Sequence, residues 1–261
     1  MNILKLTAAC GLASIAFAGY ASAETAVGLV GGKTLVMIDT AKMSVTKTMD
    51  VTGVDKLHGI DVRPSKKMLY GVATDGTVVT IDPKSSAATK VTKLEKNIAE
   101  GTGAIVDFNP AADKLRFMST DGTNLRADVE TGKVTTDGSL IFLKEDMHAG
   151  EKPNVVAAAY INSYGKPEKT AMYDIDATIG ALLQQVSPND GTLKAIGKLG
   201  IGAAKSYAFD VHTTADGKNT AWLVADNTLY SVDLATGMAK AAGKIENAPG
   251  MIRDITVLPA M

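Results

Sequence analysis

TLVMID at residues 34–39 recurs as TVVTID at 77–82, TNLRAD at 123–128 and TLYSVD at 228–233, each opening on threonine and closing on aspartate. β-Branched and apolar residues that end in a turn-forming acid read as a strand running into a turn. Turn residues also precede every copy: Gly31-Gly32-Lys33, Asp75-Gly76, Asp121-Gly122 and Asp226-Asn227. Before those turns lie the strand-like runs MLYGVAT, LRFMST and AWLVA. After the hexamers, short turns such as Glu130-Thr131-Gly132 and Ala235-Thr236-Gly237 lead into one more strand. A further strand precedes each set and carries its own aspartate: HGIDVRP, AIVDFNP, YAFDVHT and, at the end of the chain, MIRDITVLP. Asp61 to Asp82 and Asp107 to Asp128 each span 21 residues, and Asp210 to Asp233 spans 23. Four up-and-down strands per unit make a propeller blade.

The hexamers ending at 128 and 233 are 105 residues apart, room for two repeats. The intervening one reads VVAAAYINS, KTAMYDID, ALLQQVSPNDG and TLKAIGKL. Aligning Gly191 with Gly237 puts Ser187 where the other copies have aspartate, and Ala158 near the position of the inner-strand acid. The chain is therefore expected to be all-β, a five-bladed propeller. Its first blade starts with three strands and is completed by the C-terminal strand RDITVLP, which removes an open sheet edge. A β-sandwich is the alternative, since short strands with regular turns suit both.

The N-terminus, MNILKLTAACGLASIAFAGYASA, has one lysine, an apolar run from Leu6 to about Ala18 and an Ala21-Ser22-Ala23 ending, the pattern of a secretory leader cleaved after Ala23. A lipoprotein reading through Cys10 fits less well, because Thr7 stands where leucine is wanted. Residues 24–261 are then a single propeller domain of 238 residues, periplasmic or secreted. Cys10 is the only cysteine, so the mature chain has no disulfide, thiolate nucleophile or cysteine metal ligand. Loss of Lys5 leaves 26 basic against 28 acidic residues, a balance that points to neither nucleic acid nor an anionic membrane. No later apolar run is long enough to span a bilayer.

GIDVRP, LYGV, VDFNPAADKLRFMSTDGTNLRADVETG, VVAAAYINS, MYDID, QVSPNDGTLKAIGKLG and LYSVDLATG together resemble the exported bacterial family catalogued as domain of unknown function 4394. The resemblance covers nearly the whole mature chain. It implies a secreted, propeller-like protein, and it brings no catalytic assignment.

On the inner strands, alternation sets Asp61 with Arg63, Asp107 with Asn109, Asp210 with His212 and Asp254 with Thr256 on one face, with Ala158 and Tyr160 in the divergent blade. If that face lines the channel, Asp61, Asp107, Asp210 and Asp254 are candidate ligands for Ca²⁺ or another divalent cation. Their recurrence in every ordinary blade favours a structural reading, in which each carboxylate accepts backbone amides and holds its blade in register. Asp113, Arg116, Asn124, Arg126, Asn189, Asp190 and Gly191 are expected to be structural as well, as turn acids and strand arginines that fork onto carboxylates. His58, His148 and His212 have no metal-ligand spacing, and no G-x-S-x-G or P-loop is present. The function expected is non-catalytic binding of a protein, polymer or small ligand, with no cofactor required. The loops Glu145–Lys152 and Asn162–Lys169 are candidate partner surfaces. The alternative is a metal-assisted hydrolase or lactonase in the channel, with His212 as base.

Overall fold

The structure, a computed structural model, describes residues 24–259; the expected leader, with Cys10 and the cleavage expected after Ala23, lies outside the described residues. Those residues form strands and turns with no helix. Blade one holds β1 (Thr25–Val30), β2 (Thr34–Asp39) and β3 (Ser44–Asp50). Blade two holds β4 (Leu57–Arg63), β5 (Met68–Ala73), β6 (Thr77–Ile81) and β7 (Ala88–Lys93). Blade three holds β8 (Ala104–Asn109), β9 (Lys114–Ser119), β10 (Asn124–Ala127) and β11 (Val134–Thr136).

A two-residue strand, β12 (Ile141–Phe142), precedes blade four and pairs parallel with its outer strand. That blade holds β13 (Val155–Tyr160), β14 (Met172–Asp176), β15 (Ala181–Ser187) and β16 (Thr192–Lys198). Blade five holds β17 (Tyr207–Thr213), β18 (Asn219–Ala225), β19 (Thr228–Val232) and β20 (Ala239–Lys244). The last strand, β21 (Ile252–Val257), pairs antiparallel with β1 and becomes the inner strand of blade one, in the order β21-β1-β2-β3. The five sheets stand as the blades of a propeller, and the ring closes through the C-terminal strand.

Burial falls from the axis outward, as the sequence dictates. Inner strands such as YAFDVHT are buried on both faces, whereas the outer strands SVTKTMD, ATKVTK and AKAAGK are exposed and lysine-bearing, which discourages pairing with another chain. Apolar clusters fill the spaces between blades; one joins Tyr70, Val72 and Leu94 of blade two to Phe108, Leu115 and Phe117 of blade three.

The blades are also clasped by side chains. Asp254 Oδ2 accepts the Ile60 N–H of blade two at 2.7 Å, and Asp61 Oδ2 accepts Phe108 N–H of blade three at 2.7 Å. Asp107 Oδ1 accepts Tyr160 N–H of blade four at 2.9 Å, and Asp210 Oδ2 accepts Val257 N–H of blade one at 2.7 Å. Each acid thus satisfies an amide that the inner edge of the next sheet leaves unpaired. Ala158 breaks the series between blades four and five. There the Ser163 N–H donates to Thr213 Oγ1 at 2.8 Å and the Asn162 N–H to Asn219 Oδ1 at 2.9 Å. Gly59 is required for the closest approach: a Cβ on it would stand 2.7 Å from Asp254 Oδ2 and 2.8 Å from Val106 Cγ2.

Candidate functional site

Because the inner strands run in the same sense around the axis, their C-terminal ends gather at one end of the ring. There they enclose a cavity of about 560 Å³, within the range of small-molecule sites. All five blades contribute. Its floor carries Asp61, Asp107 and Asp210, each buried. Its walls include Val62, Phe108, Val257, Leu258 and Pro259, and its sides carry Glu24, His212 and Thr256.

The three floor acids present oxygens that all lie within 4.8 Å of one another. Oxygens bound to a single Ca²⁺ at about 2.3–2.6 Å can lie about 5 Å apart, so the spacing alone is compatible with one ion. The oxygens are unequally free. Asp61 Oδ1 accepts Val62 N–H at 2.6 Å and the Thr256 hydroxyl at 2.9 Å, while its Oδ2 is held by Phe108, so both atoms are committed. Asp107 and Asp210 each give one oxygen to a neighbouring blade. Burial, together with the Asp210 carboxylate, pushes the Asp61 pKa well above the usual carboxylate range, and burial with the Asp61 carboxylate does the same for Asp107. Burial raises Asp210 to about 6, opposed by amide bonds from Val257 and Val211.

The fourth candidate acid, Asp254, does not line this cavity. It sits with Arg253 and Val106 toward the other end of the channel, and burial raises its pKa to about 7. The four aspartates therefore do not form one ring around a common point. Arg63 and Asn109, expected on the channel face, are not among the cavity residues. Arg63 forks onto Asp113 at 2.8 and 2.7 Å and reaches Glu130 at 2.5 Å, stapling blade two to blade three. Asn109 caps the N–H groups of Ala111 and Ala112.

Tyr160 and His212 do line the cavity. The Tyr160 hydroxyl, however, accepts Arg116 Nε–H at 3.2 Å, and His212 Nε2 lies 3.6 Å from the Glu24 carboxylate. His58 packs against Phe117 and His148 against Glu151 and Phe142, so the histidines do not assemble. At the mouth, Lys67 Nζ lies 5.5 Å from the Tyr164 ring, joining a turn of blade two to the 162–169 loop of blade four, which is not its neighbour. The 145–152 loop lies off the cavity, against β16, where Asp146 Oδ2 accepts Ala195 N–H at 2.8 Å.

A family model described as a domain of unknown function, DUF4394, matches residues 34–256. The chain belongs to the DUF4394 family. No curated protein matches this DUF4394 chain. Among solved structures, it is similar to a protein of unknown function from Bacteroides thetaiotaomicron VPI-5482, with a TM-score of 0.52 and 17% identity. That match covers 90% of this chain and 66% of the other, just under two thirds of its length. A protein of unknown function from Bacteroides caccae matches with a TM-score of 0.45 and 10% identity, over 85% and 73% of the two chains. The extracellular domain of a putative hybrid two-component system from B. thetaiotaomicron matches with a TM-score of 0.42 and 11% identity, over 87% of this chain and 29% of that one.

The long central motif of this DUF4394 chain sits between blades three and four. Arg116, 2% exposed, donates to Asn124 Oδ1 at 2.8 Å, Asp137 Oδ2 at 2.6 Å and Asn189 Oδ1 at 3.1 Å. Arg126 shares Asp137 at 3.2 Å. Asp190 accepts the Ser187 hydroxyl at 2.5 Å. Gly191 has φ +72°, and a Cβ there would lie 2.3 Å from Gly138 O. Asp137, the shared acid, is absent from the sequence-based candidates; its only local signal is the Asp137-Gly138 turn pair. Asp174 escapes them too, although it is wholly buried with no hydrogen-bond partner among the described residues.

Proposed function

We propose that this chain is a non-catalytic binding propeller that works outside the cytoplasm and takes a small ligand in the cavity at one end of its ring. The observation that carries this reading is the cavity itself: about 560 Å³ in volume, walled by apolar residues and floored by three buried carboxylates. A few polar groups among apolar walls are what fix and orient a small ligand. Binding is favoured over catalysis by the commitments of the polar groups. His212 is turned to Glu24. The floor acids carry the clasps that hold the blades together. The leader pattern ending at Ala23 supports export of a mature domain of residues 24–261. No helix of the described residues is long and apolar enough to cross a membrane.

Thermal unfolding against a small-molecule library tests this, with Val62→Phe as the variant that fills the cavity. A ligand at about 100 times its Kd should add ~2.7 kcal/mol, raising Tm by roughly 5–10 °C in a domain of this size. The shift should vanish in Val62→Phe. Binding that survives in the filled variant, or no binding across the library, would overturn the assignment.

A further inference from the structure

Resting on the reading of the cavity as a ligand site, we infer that the ligand is a small organic monoamine whose ammonium group donates to the free oxygens of Asp107 and Asp210. Both residues line the cavity and are more than nine-tenths buried, at 5% and 7% exposure. Asp107 Oδ1 is taken by Tyr160 N–H and Asp210 Oδ2 by Val257 N–H. Apart from the Val211 amide beside Asp210, the second oxygen of each has no hydrogen-bond partner among the described residues, and neither is sealed off from solvent as the Asp174 oxygens are. Two ionised carboxylates open to a cavity offer acceptors only, and an ammonium group brings three donors and no acceptor.

No arginine supplies that counter-charge at the floor. Arg63 is spent on Asp113 and Glu130, and Arg116 on Asn124, Asp137 and Asn189. Arg253 donates to the carbonyls of Gly31, Leu57 and His58. The floor acids crowd one another in a buried setting, which favours their neutral forms until a cation joins them. An ammonium ion offers the same positive charge with better geometry.

The class follows from the rest of the lining. A bare metal ion would leave most of about 560 Å³ unfilled, and both Asp61 oxygens already accept hydrogen bonds from Val62, Thr256 and Phe108. Val62, Leu258 and Pro259, which are only partly buried, suit an apolar body. Lys67 and Lys84, both exposed cavity residues, repel a second positive charge, which selects a monoamine over a polyamine.

Calorimetric titration tests this with phenethylamine, isoamylamine and cyclohexylamine, each beside its alcohol isostere, and with CaCl₂ as a third arm. At least one amine should bind about 10- to 100-fold more tightly than its alcohol, as loss of a charged hydrogen bond predicts. The preference should disappear in Asp107→Asn and in Asp210→Asn, both of which retain an oxygen for the neighbouring amide. The wild-type affinity should also rise with pH as the acids release their protons, Asp210 doing so near 6, so the test stands even if a variant fails to fold. Alcohols that bind as well as amines, and are lost in Val62→Phe, would overturn the amine while leaving the cavity as a ligand site. Calcium binding without amine binding would likewise overturn the amine in favour of an ion. Binding by none of the three arms would overturn both readings.

Discussion

Asp174→Asn should stabilise the protein, and by an amount that grows with pH. Asp174 stands on β14 opposite Ala158 and Leu183, is wholly buried, and has neither carboxylate oxygen hydrogen-bonded among the described residues. Burial pushes its pKa up to about 8 from 3.8; Arg116 pulls it down and Asp176 adds to the rise. The folded state therefore holds a proton on this group between pH 4 and 8 that the unfolded chain has lost. Stability from this group is full below the unfolded pKa and falls as pH rises toward the folded one. Each pH unit in that window costs ~1.4 kcal/mol. The burden is therefore ~1.5 kcal/mol at pH 5 and ~4 kcal/mol at pH 7, levelling near ~6 kcal/mol above pH 8. Asparagine keeps the shape and cannot ionise, so its advantage over the wild type should be near zero at pH 4 and follow that curve upward. Urea unfolding, followed by the fluorescence of Trp222, the single tryptophan, measures the difference at each pH. A gap between variant and wild type that is flat from pH 4 to 8 would refute the reasoning, because a buried acid that folds ionised has no such linkage.

Asp137→Ala removes the acid shared by Arg116 and Arg126 and leaves Arg116 buried without its ionic partner; a loss of ~3–5 kcal/mol is expected in the same assay. Gly59→Ala drives a methyl group into Asp254 and Val106. It should cost ~1–3 kcal/mol and lower Tm by several degrees, and an unchanged melt would show that the blades can move apart there. Deleting residues 252–261 strips the inner strand from blade one, with the clasps Asp254 makes to Ile60 and Asp210 makes to Val257; circular dichroism should show loss of cooperative unfolding. Tyr164→Ala opens the Lys67 contact at the mouth. It should speed ligand exchange in stopped-flow measurements while leaving Tm within about 1 °C, as expected for an exposed side chain.

The blades were legible because one device repeats at the end of a strand. Asp39, Asp82, Asp128 and Asp233 each turn a carboxylate oxygen onto N–H groups two or three residues on, a local geometry that a short sequence window can encode. Blade four read as divergent because its device has moved: Asp176, at the end of β14, caps Thr178 and Ile179, one strand earlier than in the other blades. Alternation also placed acids on the inner strands, with Arg63 and Asn109 on the same face, and the ladders stay in register there. Near the ends of the strands, long side chains nevertheless reach away from the cavity for partners in the next blade, as the fork of Arg63 onto Asp113 shows.

The cavity lay beyond such reading, because its lining is drawn from all five blades and from residues as far apart as Glu24 and Pro259. Asp174 was hidden for the same reason. MYDID looks like an ordinary alternating strand, and only the packing of Ala158 and Leu183 on either side turns a surface-compatible acid into a wholly buried one. Where Asp61, Asp107, Asp210 and Asp254 each found an amide to hold in a neighbouring sheet, Asp174 lies within a single sheet whose amides are already paired. The same residue type thus fastens the ring at one radius and strains it at the next, and the distinction rests on which backbone donors the sheet leaves free.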